Sequence, residues 1–327
     1  MTRKITPSSP AMPTLSRWFV ISTLVACSAG RDALEDGGGA GGAAASSSGN
    51  AAVSSASGTS SGFAAGGGDE GGGPGCPACS ADLHDVIDCD GNVIETCPPD
   101  QGCSAEGCVP ACESAAANKS TIGCDYVVMG PDVIPEAVGG CLAAFITNTW
   151  GEPVTIAIER NGQSFDATSF ARIPNGSGQD LTYEDLPDGK LPPGQVAIVF
   201  LSRFGNLIND CPDGILPAVY TEDTAVHGTG VGTAFRIKTS APVVAYDIYP
   251  YGGGMSALTS ASLLLPTSAW GDNYVGVAAF RKSAAVPAAN PTLAIVAAED
   301  GTTVTINPKA AIAPGPGVAG TPAGVPV

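Results

Sequence analysis

The sequence predicts an all-β protein, and three observations carry this prediction. From about residue 120 onward, large apolar residues gather in short β-branched or aromatic runs, at 141–147, 154–158, 196–201, 243–249 and 293–297. Gly, Pro, Asn and Asp separate these runs, as they do in turns between strands. No long stretch repeats apolar residues with the 3.6-residue period of a helix. A unit of about 150 residues suits a β-sandwich, so we expect a sandwich-like domain, with a β-propeller as the alternative.

The first 26 residues have the features of a bacterial secretion signal. Arg3, Lys4 and Arg17 precede the apolar run 18–26, which is far shorter than the ~20 residues of a membrane span. The run ends in Leu-Val-Ala-Cys at Cys27, which resembles the lipobox of bacterial lipoproteins. The resemblance implies cleavage before Cys27 and lipid attachment to its thiol and amine. We therefore expect a lipid-anchored protein of the bacterial cell envelope, located in the outer membrane. An extracellular location is also consistent with the signal. An ordinary signal peptide with a chance cysteine is the alternative.

Residues 27–75, which begin with the predicted lipidated cysteine, are dominated by Gly, Ala and Ser. Such a segment buries too little apolar surface to offset the entropy of ordering its chain. We expect it to be a disordered tether between the lipid and the folded part.

Ten cysteines follow Cys27, and an even number after an export signal predicts disulfides formed in an oxidising compartment. Seven of them lie in 76–112, which we assign to a small Cys-rich module. Because seven is odd, at least one must pair with a cysteine further along the chain. Zinc binding by Cys76 and Cys79 is disfavoured because no second pair with matching spacing follows. The disulfide candidates are Cys76, Cys79, Cys89, Cys97, Cys103, Cys108, Cys112, Cys124, Cys141 and Cys211.

Within this module, the segment 85–97 predicts a β-hairpin. Two β-prone runs flank an Asp-Gly-Asn turn, which is a strong hairpin signal. Asp88, Asp90 and Asn92 also alternate as at the start of a calcium loop, but no bidentate glutamate follows at the required distance. We expect no cofactor, with calcium at these three residues as the alternative.

Two further acidic groups fit either calcium-binding loops or ordinary turns. Glu184 and Asp185 lie close to Asp188, and Asp210 lies close to Asp213. Because Pro and Gly neighbours surround both groups, turns are the preferred interpretation.

A weak internal repeat divides the β-rich part of the chain. Segments 145–156 and 295–306 share an apolar pair, a glycine-centred turn and Val-Thr-Ile. Gly151 aligns with Gly301 and Val154 with Val304, so the offset is 301 − 151 = 150 residues. A period this long predicts tandem β units rather than a solenoid. We therefore place one β domain at 113–290 and the start of a second, truncated unit at 291–327.

Three segments in the second half of the chain form an ordered set of motifs. Residues 239–254 are TSAPVVAYDIYPYGGG, residues 263–275 combine LLLPTSAWG with NYV, and residues 297–306 are AAEDGTTVTI. Together they resemble the N-terminal domain of the IgGFc-binding protein family, over about 120–327. The resemblance implies an extracellular β-rich binding or adhesion domain without known catalysis. Immunoglobulin binding is not carried over, because the von Willebrand-type repeats of the animal proteins are absent from this sequence.

Residues suited to catalysis are scarce. The chain has two histidines, His84 and His227, and we expect His84 to be exposed. The glycine-rich run after His227 leads into a strand-like segment, which predicts a turn rather than a phosphate loop. Residues 175–178 lack the first glycine of a nucleophile elbow and predict a hairpin turn. We therefore predict a non-enzyme. The alternatives are a secreted hydrolase-like enzyme with an unrecognised site, for which His227 is the residue to test, and a purely structural envelope protein.

The charge and the aromatic residues limit the classes of binding partner that we expect. The 31 Asp and Glu outnumber 14 Lys and Arg, so the surface repels nucleic acids and anionic lipid head groups. We expect contact with the membrane through lipid only, and a protein or glycan partner at the cell surface. Tyr249 and Tyr251 precede a glycine run and are predicted to reach a ligand from a loop. Tyr246 and Trp270 are expected in the core.

Overall fold

The structure is a computed structural model that describes residues 76–205, 209–252, 260–277 and 290–327. The predicted signal peptide, Cys27 and the tether lie outside the described residues. Their assignments stay predictions.

Strands are the dominant regular secondary structure of the described residues, which confirms the all-β prediction. The strands are β1 (Ala78–Cys79), β2 (Asp85–Ile87), β3 (Val93–Thr96), β4 (Gln101–Ser104), β5 (Gly107–Pro110), β6 (Ile122–Val128), β7 (Leu142–Thr147), β8 (Ile156–Arg160), β9 (Gln163–Phe165), β10 (Ala171–Asn175), β11 (Thr182–Asp185), β12 (Val196–Ser202), β13 (Phe235–Tyr249) and β14 (Ser260–Leu264). The α-helix α1 spans Ala111–Asn118. Short 3-10 helices span Pro135–Ala137, Ala167–Ser169, Gly178–Asp180, Pro187–Gly189 and Thr267–Ala269.

One antiparallel sheet of nine strands dominates the fold. Its order is β11-β10-β12-β7-β13-β8-β9, and β6 and β14 also pair with β13. The amino-terminal half of β13 pairs with β8 and its carboxy-terminal half pairs with β7. The register with β6 shifts between Lys238 and Val243, and Pro242 in this interval cannot donate to a ladder. A bulged strand bends a sheet, so β13 lets the sheet curl over its core. A propeller would require separate four-stranded blades, and the nine strands of this sheet are not divided in that way.

The main core lies on one face of this curled sheet. Strands β6, β7, β8, β12 and β13 contribute its buried side chains, which include Tyr126, Ile146, Ile158, Leu201 and Phe235. Because successive residues of a strand point to opposite faces, a second set of side chains lies on the other face. That face carries a smaller buried cluster built around the Cys141–Cys211 disulfide.

The Cys-rich segment contains the predicted hairpin. Strands β2 and β3 pair antiparallel around the turn that follows Asp88, and β1 extends them to a three-stranded sheet. Strands β4 and β5 form a second hairpin. All ten predicted cysteines form disulfides, which are Cys76–Cys89, Cys79–Cys103, Cys97–Cys108, Cys112–Cys124 and Cys141–Cys211. The first two bridges exclude a shared zinc site at Cys76 and Cys79. The Cys112–Cys124 bridge confirms that a cysteine of this segment pairs outside it.

Helix α1 connects the Cys-rich segment to the large sheet. It has eight residues, too few to give a helical period in the sequence, although three successive alanines favour a helix. The buried Ser114 hydroxyl donates to the carbonyl of Cys103 at 2.6 Å, and α1 contacts β4, β6 and β13. On the other side of the junction, Trp150 Nε1 donates to the Pro99 carbonyl at 2.7 Å. The Cys-rich segment is therefore packed against the large sheet.

Residues 290–327, which include the predicted second β unit, contain no named strand in the described structure. A turn occurs at 298–301, where the repeat predicts one. Val304 is nevertheless 44 % exposed, whereas its counterpart Val154 is fully buried. Isolated bridges join Ile312 to Thr321 and Gly315 to Val318. The division at residue 291 stays a prediction.

Candidate functional site

Tyr249 and Tyr251 are buried, which contradicts their predicted placement as exposed ligand contacts. Their exposed fractions are 6 % and 7 %. The Tyr249 hydroxyl donates to the Ala137 carbonyl at 2.6 Å and accepts from the Gly140 amide at 3.0 Å. Burial raises the pKa of Tyr249 to about 12. The Tyr251 hydroxyl lies 2.7 Å from that of Tyr183. Tyr249 is the last residue of β13 and packs in the main core, whereas Tyr251 lies in the turn after the strand and packs in the smaller cluster around the Cys141–Cys211 disulfide.

Five aromatic rings meet on the face of the sheet opposite the main core. Phe145 on β7 stacks on Tyr246 of β13, directly opposite in register, with centroids 5.1 Å apart. Phe200 and Tyr251 meet edge to face at 5.1 Å, and Tyr183 contacts Phe200 at 5.9 Å. Phe200 and Tyr251 are buried, whereas Phe145, Tyr183 and Tyr246 are half-buried. We refer to these five residues as the aromatic face. It presents parts of three rings to solvent above two buried ones.

The sequence prediction missed most of the aromatic face. It placed Tyr246 and Trp270 in the core, and both are half-buried. Phe145, Tyr183 and Phe200 were not singled out. Alternation along β7, β12 and β13 is the signal that could have assigned Phe145, Phe200 and Tyr246 to one face. The rings come together because β7 pairs with both β12 and β13, and the sequence of a single strand does not predict its partners.

The segment Gly139–Cys141 anchors one edge of the aromatic face. The Cys141 amide donates to the Asn209 carbonyl at 2.8 Å, and the Tyr251 amide donates to the Cys141 carbonyl at 2.7 Å. The Phe204 amide donates to the Gly139 carbonyl at 2.9 Å. Together with the Cys141–Cys211 disulfide, these bonds hold the described ends of the 203–211 segment and the position of Tyr251.

The predicted calcium ligands near Asp88 form a hydrogen-bonded turn. Asp88 Oδ1 accepts from the amides of Asp90 at 2.9 Å and Asn92 at 2.8 Å. Hydrogen bonds from the Asn92 side chain and backbone hold the pKa of Asp88 below its usual value. In the described ranges, no group of three or more His, Cys, Asp or Glu side chains is arranged to hold a metal ion. Asp88 therefore lies in the turn of a β-hairpin, as the sequence predicts.

The other two acidic groups contain cation-paired carboxylates. Asp185 lies 3.2 Å from the Arg172 guanidinium, and Asp210 forms a bidentate pair with Arg203. Glu184 accepts from the Asn175 side chain at 3.0 Å. These three carboxylates therefore already have partners within the protein.

Among the described contacts, neither histidine is paired with a nucleophilic side chain. His84 is half-buried, with its ring 4.2 Å from that of Trp150, which contradicts its expected exposure. His227 lies between Asp223 and Asp132. Within the described contacts, neither ring is hydrogen-bonded to a serine, threonine or cysteine side chain. The glycine-rich run after His227 leads into β13, and residues 175–178 lie in the turn between β10 and β11, as predicted.

A shallow cleft lies over β8, β9 and β13. It has a volume of about 110 Å³, well below the ~300 Å³ at which small-molecule sites begin. Arg236 and Lys238 line it together with Glu159, and Arg236 is also paired with Asp125 at 2.8 Å. Its charges are therefore balanced, and its size does not suit an enclosed ligand.

These features define a class of protein. A β-rich fold with five disulfides in its described part is typical of extracellular proteins. Within the residues that the structure covers, no helix has the length and apolar content needed to cross a membrane.

Part of the chain matches the model of a known protein family. Residues 260–327 match the family model of IgGFc binding protein, a family of binding domains and not a known enzyme family. This match confirms the family resemblance, over a shorter range than the predicted 120–327. It includes the motifs at 263–275 and 297–306 and begins after the motif at 239–254. No curated protein and no solved structure matches the chain.

Proposed function

We propose that the protein is a lipid-anchored cell-surface protein that binds or adheres to a protein or glycan partner without catalysis. The aromatic face is the proposed contact surface, and its three half-buried rings are the observation that carries the proposal. Aromatic side chains with few rotatable bonds supply large contact areas at low cost in conformational entropy. The net charge of −17 disfavours a polyanionic partner.

The scaffold supports this role because the aromatic face is preorganised. The Cys141–Cys211 disulfide and the hydrogen bonds of Cys141 hold Tyr251, and the hydroxyl of Tyr251 contacts that of Tyr183. The stacked pair of Phe145 and Tyr246 lies on two adjacent, paired strands. A surface fixed before binding loses little freedom when a partner arrives.

Replacing Tyr246 by alanine is expected to weaken partner binding about tenfold or more, the size of effect seen for aromatic hot spots. The soluble Cys27→Ala protein is applied to an array of defined glycans and to a panel of immobilised matrix proteins, with and without Tyr246→Ala. Tyr220→Ala is the matched control, because Tyr220 is 49 % exposed and is not part of the aromatic face. Equal weakening by both substitutions would contradict the assignment of the surface. Absence of binding by the unsubstituted protein to every probe would favour the purely structural alternative.

Cells that express the full chain are expected to incorporate labelled palmitate into it, and Cys27→Ala is expected to abolish the label. The lipobox-like sequence ending at Cys27 motivates this expectation. The double substitution Cys76→Ala and Cys89→Ala is the control, since it removes a disulfide without touching Cys27. Label retained by the Cys27→Ala chain would refute the lipid anchor.

A further inference from the structure

The His227 ring lies between two carboxylates. Its Nε2 atom is 2.9 Å from Asp223 Oδ2, and its Nδ1 atom is 3.4 Å from Asp132 Oδ1. A neutral imidazole carries one N–H group, whereas an imidazolium carries two. Only the protonated ring can donate to both carboxylates, so the geometry suits a charged His227. We call these three residues the histidine bridge.

The histidine bridge joins two segments of the chain. Asp132 lies between β6 and the 3-10 helix Pro135–Ala137, whereas Asp223 and His227 lie in residues 220–234, just before β13. The segments touch closely near the bridge. A Cβ atom placed on Gly130 would lie 2.9 Å from the Ala225 Cβ. The Ala225 amide also donates to Asp223 Oδ1 at 3.0 Å, so the same carboxylate orders the turn that leads to His227.

The segment 220–234 also supports part of the family-matched region. The Val231 amide donates to the Pro316 carbonyl at 3.2 Å. A side chain at Gly315 would collide with the Thr229 carbonyl oxygen, so the two backbones are in direct contact. A movement of 220–234 away from Asp132 would therefore disturb the position of residues 315–318.

The geometry points to a pH-sensitive latch. The imidazolium of His227 holds segment 220–234 on the loop that carries Asp132, and so maintains the contact with residues 315–318. When the ring loses a proton, one nitrogen lone pair faces a carboxylate, and that contact is lost. The longer contact, to Asp132, is the one that opens. The latch does not depend on the proposed role of the aromatic face.

The direction of the pH effect follows from the surroundings of His227. Burial lowers its pKa, but the hydrogen bonds and negative charges of Asp223 and Asp132 outweigh burial and raise the pKa above 6.5. The pKa of His227 is lower in the unfolded chain than in the folded one. The contribution of the histidine bridge to the stability of the folded state is therefore fully present below pH 6.5, and it is lost as the pH rises through the raised pKa of the folded state.

The charged and titratable groups near His227 do not change their protonation near neutral pH. Glu222 pairs with Arg160 at 2.7 Å, and Asp210 pairs with Arg203. Arginines keep their charge throughout the neutral range. The phenol of Tyr249, which senses the charge of Asp223, has a pKa raised to about 12. Among these groups, His227 is the one whose protonation changes near neutral pH.

Proton NMR of the imidazoles tests the first half of the proposal on the full-length chain with Cys27→Ala. The protein has two histidines, so two ring signals are expected, and His84→Gln assigns them. We expect the His227 signal to titrate above pH 6.5, and Asp132→Asn or Asp223→Asn to shift its midpoint down. A midpoint at or below 6.5, or one that neither substitution moves, would overturn the latch.

Amide hydrogen exchange tests the second half of the proposal, which is that the charged His227 ring holds segment 220–234 in place. After correction for the intrinsic pH dependence of exchange, protection of the Ala225 and Val231 amides should fall roughly two- to fivefold across the His227 titration, as expected for partly exposed ion pairs. His227→Gln should abolish this step, and His84→Gln should preserve it. Asp132→Asn removes the weaker contact without changing the histidine and should also abolish the step. Constant protection in the unsubstituted chain, or a step that survives His227→Gln, would show that the ring does not hold the segment.

Discussion

Removal of the Cys141–Cys211 disulfide, as Cys141→Ala with Cys211→Ala, is expected to lower the free energy of unfolding by about 4.5 kcal/mol. This bridge has a sequence separation of 70, and the other four bridges of the described structure have separations between 11 and 24. The entropy that a crosslink removes from the unfolded chain grows with the loop it closes. Cys141 is fully buried and Cys211 is 7 % exposed, so the native state also loses packing.

Equilibrium unfolding in urea measures this loss. Cys97→Ala with Cys108→Ala is the matched control, because that bridge has a separation of 11 and should contribute about 3 kcal/mol. The two variants should therefore differ by about 1.5 kcal/mol. Equal losses would show that loop length does not govern the contribution of the long bridge. Because Cys141 positions Tyr251, the first variant should also loosen the aromatic face, whereas the control should not.

Gly139→Ala is expected to cost about 2–5 kcal/mol of unfolding free energy, for two separable reasons. Gly139 has φ +71°, a left-handed conformation that costs an L-residue about 1–2 kcal/mol. In addition, a Cβ atom here would collide with the carbonyl oxygen of Phe204, whose amide donates to the Gly139 carbonyl. The backbone must shift to relieve this collision, and overpacking of this kind costs about 1–3 kcal/mol.

Gly162→Ala isolates the conformational part of that cost. Gly162 has φ +73°, nearly the same backbone conformation, and a Cβ atom placed there meets nothing within 4 Å. Thermal unfolding of both variants should therefore show the larger loss for Gly139→Ala. Comparable losses would mean that the close approach of Phe204 relaxes without cost.

The Cys141→Ala/Cys211→Ala variant and the Gly139→Ala variant both alter the segment Gly139–Cys141, which connects the stability of the fold to the proposed binding surface. This segment bonds to Asn209, Phe204, Tyr249 and Tyr251 within a short stretch of chain. A partner that binds the aromatic face should therefore bind these variants less tightly at temperatures where they are still folded.

Local features were predictable from the sequence because neighbouring residues decide them. The hairpin between β2 and β3 follows from two β-prone runs around Asp-Gly-Asn, and the turn between β10 and β11 follows from Asn-Gly-Ser-Gly. The disulfide between Cys112 and Cys124 follows in part from counting, since an odd cluster must pair outside itself. The short helix α1 escaped prediction because eight residues are too few to establish a period.

Side-chain environments were less predictable because they depend on distant partners. Tyr249 and Tyr251 stand in a motif that resembles a loop, yet the long strand β13 continues through Tyr249, and Tyr251 is buried in the turn that follows it. The bridge at His227 requires Asp132, which is 227 − 132 = 95 residues away in the sequence. No local pattern in either segment indicates that pairing.

The sequence alone therefore determined the β-rich class, the ten disulfide cysteines and the family resemblance, since composition, short-range pattern and cysteine number carry them. Tertiary structure alone decided which rings form the aromatic face, which cysteines pair, and which carboxylates flank His227. These depend on the bend of β13 and the order of strands in the sheet, which bring together residues that are far apart in the sequence.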